Sequence, residues 1–104
     1  MIIRVFRARI QSGHQAEFEA LLREVSIPLV LRQGGLLACH TGRPVGSNED
    51  EFTMVSLWRD VDALRAFVGE DWQQAVIPDE REAAIIVEAV VHHYESLDAE
   101  NGKR

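Results

Sequence analysis

Glu51-Phe52-Thr53-Met54-Val55-Ser56-Leu57-Trp58-Arg59-Asp60-Val61-Asp62-Ala63-Leu64-Arg65-Ala66-Phe67-Val68-Gly69, continuing through Glu70-Asp71-Trp72 to Pro78, is the stretch that decides the architecture. Its first part alternates in the manner of a strand, 52–58, and ends on Trp58. Asp60 follows as a helix N-cap. Val61, Leu64, Phe67 and Val68 then recur at helical spacing, and Gly69 ends the run. A strand passing straight into a short amphipathic helix is a β–α unit, and the rest of the chain has to pair with it.

Upstream, 46–50 (Gly-Ser-Asn-Glu-Asp) reads as a turn and 36–44 as a second strand, so these two strands form an antiparallel hairpin. Gly34-Gly35 closes the preceding helix, which carries Phe18, Leu21, Leu22, Val25 and Leu29 on one side. Ser12 with Gln15 three residues later has the form of a capping box for that helix. Pro28 lacks a backbone donor and is expected to kink or end it. Residues 2–10 are rich in β-branched side chains and read as the first strand. Downstream, 71–77 forms a further turn or two ended by Pro78, and 85–94 is a strongly β-forming fourth strand. The order is β-α-β-β-α-β, the ferredoxin-like pattern of an α+β antiparallel sheet. Residues 1–97 read as one domain, and 98–104 as a polar tail.

The first and fourth strands carry apolar residues at both parities: Ile3, Val5, Phe6 and Ile10 in one, Ile85, Ile86, Val87, Val90 and Val91 in the other. Strands buried on both faces read this way. Helices cover one face, and a second copy of the chain is expected to cover the other. A domain of 104 residues gains from such pairing, because small chains bury a lower share of their surface.

Composition narrows the function. The formal net charge is -6, against a nucleic-acid or anionic-membrane partner. The acids gather at 48–51, 70–71 and 79–82, which read as solvated loops. Cys39 is the single cysteine, so the chain forms no internal disulfide and no thiolate cluster, and it reads as a small core residue. Apolar runs fall short of the ~18 residues of a membrane span, and the N-terminus carries no signal-peptide pattern. A cytoplasmic location is expected.

Candidate chemistry rests on few residues. His92 and His93 are adjacent on a strand and point to opposite faces, so they do not chelate one metal together, and no metal site is expected. Arg4 shares parity with Phe6, Ala8 and Ile10, the face expected to meet the helices. A charge there needs a partner or a cavity. It is read as a clamp for an anion or carbonyl, and His40 as a second polar residue of the same pocket. Phe6, Phe18, Phe67, Trp58 and Trp72 fall at the interface of sheet and helices, where a flat aromatic ligand would be gripped. Trp72 is placed at the mouth.

The polar turn Gln11-Ser12-Gly13, Phe18, Gly35-Leu36-Leu37 and Val55-Ser56-Leu57-Trp58, in this order and spacing, resemble the antibiotic biosynthesis monooxygenase family of dimeric α+β barrel proteins. The resemblance covers nearly the whole chain, about residues 1–95. It implies a homodimer formed through the open sheet face, with a pocket between sheet and helices. Members of the family oxidise polycyclic aromatic phenols or quinols without a cofactor, and others degrade haem. The haem-degrading branch uses an asparagine, a tryptophan and an iron-ligating histidine at positions that look like Phe6, Phe67 and Ile77 here, and all three depart from its pattern. The reading that follows is a cofactor-free monooxygenase for a small aromatic phenol or quinol. His40 and Arg4 would be catalytic, with Phe6, Phe67, Trp72 and His92 holding the substrate. Histidine suits the base and arginine the developing phenolate. A non-catalytic dimeric protein that binds a small ligand, a haem-degrading enzyme and a small isomerase or lyase are the alternatives.

Overall fold

The computed structural model describes residues 1–97, so the expected tail at 98–104 lies outside the described residues. Strand β1 (Ile2–Ile10) leads into α1 (Gln15–Leu21), a π-helical turn (Leu22–Ser26) and α2 (Ile27–Leu31). The hairpin of β2 (Leu36–Gly42) and β3 (Glu51–Trp58) follows, then α3 (Val61–Val68), α4 (Glu80–Ile85) and β4 (Ile86–Glu95). The four strands form one antiparallel sheet in the order β2-β3-β1-β4. This is the ferredoxin-like arrangement expected from the sequence, with a short helix, α4, added before the last strand.

Register fixes which side chains face the helices. Arg4 stands opposite Ser56 on one side and His93 on the other, and Ala8 opposite Phe52 and Ala89. Directly opposed residues point to the same face, and this face carries the buried Arg4, Ala8, Ile10, Phe52, Ser56 and Trp58. The other face bears the row His40, Val55, Val5 and His92.

The core under the helices is divided. One cluster gathers Ala8, Ile10, Phe18, Leu21, Leu22, Phe52 and Ile85, with Phe18 and Phe52 edge to face at 5.0 Å. The second is built on Val30, Trp58 and Leu64, with Phe67 stacked on Trp58 at 5.4 Å. Helix α3 is capped as its sequence predicts. The Asp60 Oδ1 accepts from the Ala63 N–H at 2.8 Å, and Gly69 leaves the helix at φ 96°, a conformation that favours glycine. Gly35 is required by contact. A Cβ there would lie 2.1 Å from the Ala63 Cβ, so only glycine lets α3 cross the start of β2 this closely.

Four local readings are corrected. Helix α1 begins at Gln15 with His14 as a cap that makes no side-chain bond. Ser12 instead donates to Asp50 Oδ2, and Gln15 to Glu49 O and Asp50 Oδ1, so the polar side chains tie the helix start to the β2–β3 loop. Pro28 does not end the helix. The chain takes one wider turn just before it, with the Ile27 N–H bonded to the Leu22 carbonyl, and Pro28 opens α2, where its missing donor matters least. Strand β2 stops at Gly42 and β4 starts at Ile86. The acids at 79–82 are not loop: Asp79 caps α4 through the N–H groups of Arg81 and Glu82, and Glu82 is buried. Among the described residues no helix is long and apolar enough to cross a membrane.

Candidate functional site

Between the two core clusters lies a cavity of about 210 Å³. Its walls come from β1, β2, β3, the helical segment 18–30, the end of α3 and the segment 76–82. Phe6, Phe18, Phe52, Met54 and Phe67 make it predominantly apolar and aromatic. The polar side chains on this surface are Arg4, Ser26, Thr41, Thr53, Ser56 and Glu82.

Arg4 is 6% exposed, yet among the described residues no carboxylate lies within ion-pair distance of it. Its Nη1 donates to the Trp72 carbonyl at 2.9 Å and to His93 Nε2 at 2.8 Å. Arginine has no acceptor, so His93 Nε2 must be unprotonated and the ring proton sits on Nδ1. Burial pushes the Arg4 pKa down to about 10, which still leaves it a cation at neutral pH. Burial, then the charges of Arg4 and His92, hold His93 below the usual histidine range. The His93 ring also meets Trp72 edge to face at 4.9 Å. An unbalanced buried cation is costly unless it has an anionic or polarised partner.

Glu82 is 5% exposed. Burial lifts its carboxyl above the usual range, opposed in part by the Ser26 hydroxyl, which donates to Oε2 at 2.5 Å. Ser26 owes its position to the π turn, since it is the last residue of that turn. Ser56, paired opposite Arg4, accepts the Trp58 Nε1–H at 2.9 Å.

Of the six residues expected at the site, Arg4, Phe6 and Phe67 line the cavity. Trp72 adjoins it through its carbonyl on Arg4 and its ring on His93. His40 and His92 do not line it. Strand parity turns both onto the opposite face of the sheet, where they are exposed, and so separates them from Arg4. The histidine on the cavity side is His93, the neighbour of the one expected. Glu82 and Ser26 escape sequence reasoning as site residues. The signal available for Glu82 was its place three residues after Asp79, a helix-start spacing that takes it out of a loop.

The chain belongs to the antibiotic biosynthesis monooxygenase family, whose sequence model matches residues 1–79. No curated protein sequence matches it significantly. Among solved structures it is similar to a variant of SnoaB, a cofactor-independent oxygenase from Streptomyces nogalater, with 17% identity, a TM-score of 0.71 and 94% of each chain covered. It is similar also to a variant of MhuD holding two manganese protoporphyrin IX molecules per active site, with 18% identity and a TM-score of 0.72, over 98% of this chain and 100% of the other. A third is a conserved protein from Methanosarcina mazei Go1, with 20% identity and a TM-score of 0.70, over 90% and 91% of the two chains. At these identities the likeness is one of fold.

The cavity residues do not fit a haem held by an axial histidine. Phe6, Phe67 and Ile77 all line the cavity, and among the described residues no His, Cys or Tyr does. Among the described residues no group of three His, Cys, Asp or Glu side chains is placed to hold a metal ion.

Proposed function

We propose that the protein is a cofactor-independent monooxygenase that oxidises a small aromatic phenol or quinol in the cavity between sheet and helices. The observation that carries this reading is Arg4, a buried guanidinium without a carboxylate partner among the described residues, set in the wall of a predominantly apolar, aromatic-lined cavity. Such a cavity excludes water and receives flat rings, and the cation stabilises a phenolate or enolate oxygen. An apolar cavity of about 150 Å³ holds benzene, so one of this size has room for a larger ring system. The electron-rich anion then reacts with dioxygen. In overall balance a ring CH₂ and O₂ give a ring C=O and H₂O, and the substrate itself supplies the electrons.

A homodimer belongs to this reading. The open face of the sheet presents Ile3, Val5, Val55 and Leu57, with Val90 38% and Tyr94 53% exposed, and a second copy would cover them. A cytoplasmic location fits the lone free Cys39.

The test is oxygen uptake by the purified protein with anthrone, without added metal or flavin. Uptake above the buffer rate is expected, and Arg4→Met should lower kcat/KM by about 100-fold, the usual effect of removing one oxyanion donor. Absence of uptake with anthrone and with a panel of naphthol and quinol probes would overturn the reading.

A further inference from the structure

We propose that Glu82, held by Ser26, is the proton acceptor of the cavity, and that its substrates are aromatic compounds with an acidic C–H or O–H group placed across the ring system from the oxygen held at Arg4. This inference rests on the monooxygenase reading above and deepens it. Glu82 lies beyond the residues that the family's sequence model matches, so the assignment comes from this chain's own geometry.

Three observations carry it. First, Glu82 and Arg4 line the same cavity, and no ion pair joins them. Glu82 sits one helical turn before Ile86, which pairs with Ile10 at one end of β1, while Arg4 lies near the other end. At ~3.4 Å per residue those ends are roughly 20 Å apart, so the carboxyl and the guanidinium enter from opposite sides. Second, a carboxyl at 5% exposure in an apolar wall is costly for a structural residue, and among the described residues its one side-chain partner is the Ser26 hydroxyl on Oε2. Among the described residues Oε1 has no hydrogen-bond partner, and it remains available to a ligand. Third, Ser26 is delivered by a π turn, an irregularity that a plain packing helix does not need.

The substrate C–H or O–H bond breaks, and its proton goes to a carboxylate oxygen of Glu82. The electron pair is conjugated through the ring into the far oxygen, where Arg4 holds the negative charge. In anthrone the acidic C–H and the carbonyl lie across the central ring in this relation. Dioxygen, the oxidant of the proposed reaction, enters only after this step. Burial, the Ser26 hydroxyl, Asp79 and Arg81 act on Glu82, and the first keeps its proton affinity higher than that of a free carboxylate, as a base working near neutrality requires.

The proton step is read apart from oxygenation by anaerobic exchange of the anthrone ring CH₂ in deuterated water, followed by proton NMR. Oxygen uptake is measured on the same preparations, and circular dichroism verifies folding. The wild type is expected to accelerate exchange over buffer. Glu82→Gln, which keeps an acceptor for Ser26, should slow it by about 100-fold, and Glu82→Asp should retain part of it. Unchanged exchange in a folded Glu82→Gln would overturn the inference and leave the monooxygenase reading standing. So would oxygen uptake without any accelerated exchange. Accelerated, Glu82-dependent exchange without oxygen uptake would support the proton acceptor and overturn the monooxygenase reading. Absence of both would overturn both.

Discussion

Arg4 Nη1 lies 2.8 Å from His93 Nε2, and the two residues stand directly opposite each other across β1 and β4. The contact forces the imidazole to be neutral and to carry its proton on Nδ1. It also aims a buried cation at the cavity without neutralising it. Protonation of His93 would place two cations in contact, so the site depends on that ring staying uncharged.

The first prediction concerns pH. Burial, then Arg4 and His92, depress the His93 pKa in the fold. A depressed pKa contributes stability that is full above the unfolded value, ~6.5, and is lost as pH falls through the folded value. Resistance to thermal unfolding should therefore fall as the pH drops below about 6.5, the unfolded histidine value. His93→Gln, which can still accept from Arg4 but does not titrate, should flatten that part of the profile. A variant profile as steep as the wild type would refute the assignment.

The Glu82 carboxyl predicts the opposite sign. Its pKa is raised, first by burial, so its contribution is full below the unfolded carboxyl value, about 4.3, and is lost as pH rises through the folded value. Glu82→Gln should match the wild type in melting temperature near about pH 4 and exceed it increasingly toward neutrality. The gain should be a few degrees, at about 4–8 °C per kcal/mol for a domain of this size. A stabilised but inactive variant is the signature of a residue kept for chemistry.

The open sheet face yields a third expectation. Val55 pairs with Val5 and His40 near the middle of that face. Val55→Asp would place a charge at the centre of the proposed subunit contact, which costs several kcal/mol in a desolvated interface. Sedimentation should give twice the 11.7 kDa chain mass for the wild type and the single chain mass for the variant. A wild type that sediments as a single chain at micromolar concentration would remove the dimer.

Gly35 supplies a test of packing. The Cβ added by Gly35→Ala would lie 2.1 Å from the Ala63 Cβ, and both atoms are tied to backbone. Urea unfolding should show a loss of about 1–3 kcal/mol, the usual cost of overpacking. Adding Ala63→Gly should recover most of the steric part, giving a favourable coupling in the double-mutant cycle.

Local pattern made much of the fold legible. Alternation in 52–58, the Asp60 cap and the Gly69 stop defined β3 and α3 almost to the residue, because each depends on neighbours a few positions away. The capping box at Ser12 and Gln15 failed for a reason of the same kind. Those side chains have equally good partners at Glu49 and Asp50, which are far away in sequence but near in space. Helix α4 was missed because it is one short turn, and such turns form when tertiary packing gives them something to bury.

The site divides along the same line. The sequence alone determined that Arg4, Phe6 and Phe67 point under the helices, since strand parity and helical spacing are local geometry. It determined the ferredoxin-like order and the two-sided apolar character of β1 and β4 for the same reason. Only the tertiary structure decided that His93, rather than His92 or His40, meets Arg4, because inter-strand register sets which parity of β4 and β2 shares the cavity face. Only it brought Ser26 to Glu82 across 56 positions of sequence and buried that carboxyl between two halves of a core. Burial belongs to the assembled elements, and no periodicity within a single segment encodes which of its charges will be enclosed by another.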